Sequence, residues 1–175
     1  VQDIAQVVDK GGSQRFTRQV GMLGRWYDGV AQHVGDDRFT IIFTEVTDRV
    51  LRERRQAAII ALSDRFQEET SVGALTRATS AVLGEALDVQ LVGYGDIDAG
   101  AETITVGPDW ARGGVRTLAG TLRLRDFGSY VDDLKDGRTV VIPDCWQDAR
   151  TQGHSVALEA LGARAFVNTP VIERG

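Results

Sequence analysis

From Asp48 to Glu69 the chain runs for 22 residues without a glycine or a proline, and five acidic side chains balance five arginines along it. No residue there loosens the backbone or removes a helical N–H, so the stretch reads as one uninterrupted helix. A helix of that length is about 33 Å long, the width of a small domain. The segments on either side read as strand-rich. The chain is therefore expected to form two sheet-bearing parts joined by a rod: residues 1–47, a connecting helix over 48–70, and a larger part over 71–175. Thr47 is the expected N-cap, where the preceding strand ends. Ile59, Leu62 and Phe66 follow the 3–4 spacing of a coiled-coil seam, while Arg52 and Arg55 stand where earlier seam residues would be. Two readings stay open: an amphipathic helix packed on its own domain, or a connector that dimerises over part of its length.

The first part alternates in the manner of a hairpin. Trp26 to Val34 and Phe39 to Val46 are rich in β-branched and aromatic residues and flank a turn at Gly35-Asp36-Asp37. Gln14 to Leu23, after Gly11-Gly12, is a third expected strand. Val1, Ile4, Ala5 and Val8 have helical spacing. One helix and three strands are half a domain, with too little to bury alone.

The third part mixes elements. Val72, Leu75, Thr79, Val82, Leu83 and Ala86 mark one face of a helix. Val89 to Tyr94 and Glu102 to Val106 read as strands about a turn at Asp98-Ala99-Gly100. Thr117 to Arg125 alternates again. Phe127, Tyr130, Val131 and Leu134 space a short helix ended by Gly137. Arg138 to Ile142 is a strand stopped by Pro143. Val156, Ala157, Ala160 and Leu161 face one more helix, capped by Gly162. Arg164 to Ile172 is a last strand, with a turn at Glu173-Arg174-Gly175. Strands with interspersed helices argue an α+β fold on antiparallel sheet.

Composition narrows the function classes. Over 175 residues the net charge is −5, which argues against a nucleic-acid binder, since phosphate contacts need clustered Lys and Arg. A single cysteine leaves no intrachain disulfide framework and no Cys₂ or Cys₄ zinc site. The longest apolar run, Ala57 to Leu62, is far short of a membrane span. Nothing after Val1 has the charged and apolar regions of a signal peptide. The expectation is a cytoplasmic protein with no membrane contact.

Phe43-Thr44-Glu45-Val46-Thr47-Asp48-Arg49 resembles the Phe-x-Asp-Ile-Thr-Glu-Arg signature that closes a PAS domain and opens its exit helix. Glu45, like the family Asp, can hold an arginine at that corner. Gly24-Arg25-Trp26-Tyr27-Asp28 resembles the penultimate PAS strand of certain bacterial sensor histidine kinases. Residues 71–175 resemble a GAF domain, most strongly at Leu134, Gly137 and Thr139 to Asp144, then at Asp148 and Arg150, then from Leu161 to Pro170. The resemblance implies a partial PAS sheet, a connecting helix and an antiparallel-sheet GAF domain that lacks its last strand. It also implies the input region of a histidine kinase, of the HWE type; with the Ile59, Leu62 and Phe66 seam, a homodimer is the expected state.

The resemblance directs attention to certain residues. His33 and His154 lack the setting of a phosphoacceptor helix, and Gly113-Gly114 lacks the following Lys of a nucleotide loop, so no kinase activity is expected in this region. Some GAF domains bind a bilin through a Cys-His pair. Here the pair reads Gly153-His154, so covalent attachment is disfavoured, and the cofactor stays unknown. Tyr94, Trp110, Arg123, Tyr130, Trp146, His154 and Asn168 are candidate ligand contacts, each weighed against an ordinary place in the core or a loop. Ala111-Arg112-Gly113-Gly114 reads as an anion-cradling loop or a solvent loop. Asp144, Asp148 and Arg150 are expected to form local ion pairs. Asp132, Asp133, Asp136 and Asp144 read as a solvated face rather than a metal site. The functional expectation is a sensory input region that relays a signal through a dimerising helix. The rivals are a structural dimerisation module without ligand and a thiol enzyme using Cys145.

Overall fold

The computed structural model describes residues 12–21, 24–35 and 38–172. The expected helix over residues 1–8, the turn at Asp36-Asp37, the end of the first strand at Met22-Leu23 and the turn at 173–175 lie outside them. The chain divides into two compact units, with the division between Ile59 and Ile60.

In the first unit β1 (Ser13–Val20), β2 (Arg25–Gly35) and β3 (Arg38–Glu45) form an antiparallel meander in the order β1-β2-β3. The register sets Phe16 opposite Gly29 on β2, and Gly29 opposite Phe43 on β3. Gly29 has no side chain because the Phe16 ring occupies the space a Cβ would take. Phe16 and Tyr27 each meet Phe43 edge-on, with centroids 6.1 and 6.5 Å apart. These T-shaped pairs hold the three strands in register on one face. The ladder slips between His33 and Gly35, where Gly35 takes φ +94°.

α1 (Thr47–Glu68) leaves β3 at once. Thr47 is the first helical residue, and its hydroxyl does not cap the helix as the sequence suggests. It accepts from the Trp26 N–H at 2.9 Å and donates to Glu45 Oε1 at 3.1 Å. The competing partner is the end of β2, whose amide is otherwise left at the sheet's margin.

In the second unit α2 (Val72–Leu87) begins at Ser71, whose hydroxyl accepts from the Ala74 N–H, and ends at Asp88 in the left-handed region. β4 (Leu91–Val92) pairs with β7 (Trp110–Ala111). β5 (Gly95–Asp98), β6 (Thr103–Val106) and β8 (Gly120–Arg123) form a three-stranded ladder, and β9 (Val140–Ile142) pairs with β10 (Phe166–Asn168). A 3₁₀ turn (Leu124–Phe127), α3 (Val131–Lys135), a second 3₁₀ turn (Gln152–His154) and α4 (Ser155–Ala160) fill the connections. Every strand pairing among the described residues is antiparallel, as an α+β fold requires. The core holds Leu124, Tyr130, Val131, Leu134, Val140, Ile142, Cys145 and Leu158.

Several expected elements shift. On α2, Val72 is 82% exposed, and the buried positions are Ser80 and Gly84, since the Trp110 ring rests where Gly84 lacks a side chain. On α4, Val156 is exposed and Leu158 is buried: the preceding 3₁₀ turn sets the phase of a six-residue helix, and Val156 faces out. The strand expected over 117–125 shortens to β8 because Asp109 binds the Thr117 hydroxyl and the Leu118 N–H, both at 2.6 Å. The strand expected from Arg138 starts only at Val140, since the Arg138 N–H turns back to the Asp133 carbonyl. The last strand ends at Asn168, ahead of Pro170, which has no N–H to give a ladder.

Candidate functional site

The strand-to-helix corner is the most completely built polar site of the first unit. Arg25 meets Glu45 at 3.0 Å, so the arginine expected beside Glu45 is Arg25. Arg49, in the first turn of α1, meets Asp28 of β2 at 2.8 Å and Glu53 at 3.1 Å. Thr17 of β1 donates to the other Asp28 oxygen at 2.8 Å. Arg54 lays its guanidinium over the Trp26 ring, 4.6 Å from the centroid. Val50 is buried and its N–H donates to the Val46 carbonyl. All three strands thus connect to the first two turns of α1. The paired carboxylates hold the Arg49 guanidinium more firmly protonated than usual. Beside this corner a shallow groove of about 360 Å³ opens between β1 and β2, lined by Arg15, Phe16, Thr17, Asp28, Gly29 and Val30. The sequence reading missed it, because only the register brings Arg15 and Phe16 beside Asp28 and Gly29.

Further along α1, Ile59 and Phe66 are 57% and 58% exposed, and Leu62 is half-buried. The stripe therefore presents apolar surface, as a seam for another helix does.

In the second unit the seven candidate contacts stand apart. Tyr130 is 3% exposed and packs edge-on against Phe166 at 5.3 Å; burial pushes its hydroxyl up to about 12. Trp110 sits under α2 with Arg112 near its face at 6.0 Å. Asn168 lies opposite Val140 in the β9–β10 ladder. Tyr94, Arg123, Trp146 and His154 are exposed. His154 uses Nδ1 on the Asp126 carbonyl at 2.9 Å. Among the described residues no hydrogen bond, ring pair or ion pair joins any two of the seven. Gly153 lies in the 3₁₀ turn before His154. The loop at Arg112-Gly113-Gly114 is tied down from outside: Arg112 pairs with Asp88 at 2.9 Å and its N–H donates to the Gln90 carbonyl.

The acidic residues are matched by arginines. Arg150 reaches Asp148 at 2.7 Å, Asp133 at 2.9 Å and the Val141 carbonyl at 3.0 Å. Arg125 bridges Glu102 and Asp132, and Lys135 also binds Glu102. Arg164 binds Asp144, and Arg138 binds Asp133 and Asp136. The guanidinium donors hold the Glu102 and Asp148 carboxyls down at about 2, and lower Asp132, Asp133 and Asp144 as well. Asp132, Asp133, Asp136 and Asp144 each face an arginine. Cys145 is fully buried, and burial followed by the Asp144 charge pushes its thiol up, which works against a thiolate nucleophile.

No family model matches the chain. No curated protein matches it either. Among the solved structures that share its fold are two chromophore-binding domains. The chromophore-binding domain of Stigmatella aurantiaca bacteriophytochrome, as a single-residue mutant in the Pr state, superposes with a TM-score of 0.52 at 14% identity over 94% of this chain. The wild-type chromophore-binding domain of Stigmatella aurantiaca phytochrome P1 gives 0.52 at 13% identity over 86%. This chain spans 62% and 58% of their lengths. The fold is thus similar to that of those chromophore-binding domains. No helix among the described residues is long and apolar enough to cross a membrane.

Proposed function

We propose that this chain is a sensory and signal-relay region of a bacterial signal-transduction protein, of the kind that precedes a histidine kinase core. A PAS-like sheet couples through α1 to a GAF-like domain, and α1 dimerises over part of its length. The observation that carries this reading is the strand-to-helix corner. Asp28–Arg49 ties the sheet to the first turn of a helix whose later turns expose Ile59 and Phe66, and Glu45–Arg25 joins the two strands that lead into it. A ligand that shifts the strands then biases the helix, and a two-state helical interface converts that bias into a population change. The shared fold with chromophore-binding domains supports a sensory role. The region itself is read as non-enzymatic and cytoplasmic.

The test is association state. Sedimentation of residues 1–175 is expected to show a dimer, and the triple variant Ile59→Glu, Leu62→Glu, Phe66→Glu a monomer. Two monomers end the relay reading. A second reading, a dimerisation module without ligand, draws on the separation of the seven candidate contacts and the burial of Tyr130. Absorbance of the purified protein separates the two: a visible band or a nucleotide-like excess supports a ligand, and neither supports the module.

A further inference from the structure

We infer that two copies of α1 pair in antiparallel orientation. This rests on the dimer reading above and specifies its geometry. The seam runs through Arg52, Arg55, Ile59, Leu62, Phe66 and Glu69, and the helical hydrogen bonding reaches Glu69 through its N–H to the Arg65 carbonyl. At about 100° per residue the centre of this stripe lies away from buried Val50 and from Arg49 and Arg54, which contact the sheet, with Arg52 the seam position nearest to Arg49. The seam is therefore open where the sheet is not.

Its chemistry is directional. Two arginines stand at the N-terminal end, a carboxylate at the C-terminal end, and three apolar residues between. The positions mirror about the midpoint between Ile60 and Ala61. In an antiparallel pair Arg52 stands opposite Glu69 of the second copy, Arg55 opposite Phe66 of the second copy, and Ile59 opposite Leu62 of the second copy. Each end then gains an ion pair and a guanidinium over an aromatic face, and the centre gains an apolar layer. A parallel pair sets Arg52 against Arg52, Arg55 against Arg55 and Glu69 against Glu69. Those like charges oppose association. The apolar centre alone permits either orientation, so the charged ends decide it.

Cross-linking reads the orientation directly, since a disulfide forms only between Cα atoms about 4–7 Å apart. The full chain is prepared as Arg52→Cys and as Glu69→Cys. Cys145 is fully buried and stays in place. Mild oxidation of the mixed proteins is expected to give the 52–69 product, with little product from either protein alone. A dominant 52–52 or 69–69 product overturns the antiparallel assignment and leaves the dimer intact. A wild-type chain that stays monomeric at high concentration overturns both. Charge reversal gives a second readout without cysteines. Arg52→Glu is expected to weaken the dimer several-fold, and Arg52→Glu with Glu69→Arg to restore it. Unchanged association in Arg52→Glu counts against the pairing.

Discussion

Gly128 leaves no room for a side chain because the Arg150 carbonyl sits where its Cβ would be, while the adjacent Ser129 N–H donates to that same carbonyl at 3.0 Å. Gly128 also adopts φ +133° with ψ −178°, a region essentially reserved for glycine. Two independent penalties therefore meet at one atom. Gly128→Ala is expected to lower stability by about 2 kcal/mol or more. An unchanged urea midpoint in this variant contradicts the packing of the 3₁₀ turn against the Arg150 loop.

Arg150 also predicts an acid limb. Its guanidinium is the main reason the Asp148 carboxyl lies at about 2, as Arg125 and then Lys135 are for Glu102. A carboxyl with a depressed folded pKa stabilises the native state above its unfolded value, about 4. That contribution fades as pH falls from about 4 toward about 2, because the unfolded chain takes up the proton there while the native carboxyl stays ionised. Stability is expected to stay level from neutral pH to about 5 and to decline between about 4 and 2. In Arg150→Met the Asp148 carboxyl should titrate nearer its ordinary range by NMR. An Asp148 titration that does not move removes the assigned cause.

The first unit and α1 were legible because their signals are local and long. β2, β3 and the helix each follow their patterns over eight residues or more, and the Glu45 corner is written in consecutive residues. The partner of Glu45 was not, since Arg25 lies 20 positions away. The second unit has strands of two to four residues, too short for periodicity to fix. There tertiary bonds set the ends, such as Asp109 to Thr117 and Arg138 to Asp133. Aromatic identity did not separate core from surface either: Tyr130 is buried, while Tyr94 and Trp146 are exposed.

Gly84 gives a sharper test of packing against propensity. It lies inside α2, where alanine is ordinarily better by about 1 kcal/mol. The Trp110 ring fills the space of the missing Cβ. Overpacking of that kind costs about 1–3 kcal/mol. Gly84→Ala is expected to be destabilised overall, with a shifted Trp110 fluorescence spectrum. A variant stabilised by about 1 kcal/mol, with unchanged fluorescence, shows that the ring is not held against α2.

Tyr130 sets the alkaline limit of the second unit. Burial disfavours its phenolate, so the folded hydroxyl ionises at about 12 against an unfolded value near 10. A group whose folded pKa is raised contributes its stability below the unfolded value. The contribution is lost as pH rises from about 10 through about 12, where the unfolded chain releases the proton more readily. The loss is at most on the order of 2–3 kcal/mol over that window. Tyr130→Phe keeps the ring that meets Phe166 at 5.3 Å and removes the titration. Urea midpoints of the wild-type chain are expected to fall more steeply above pH 10 than those of Tyr130→Phe. Equal slopes place the phenol in water rather than in the core.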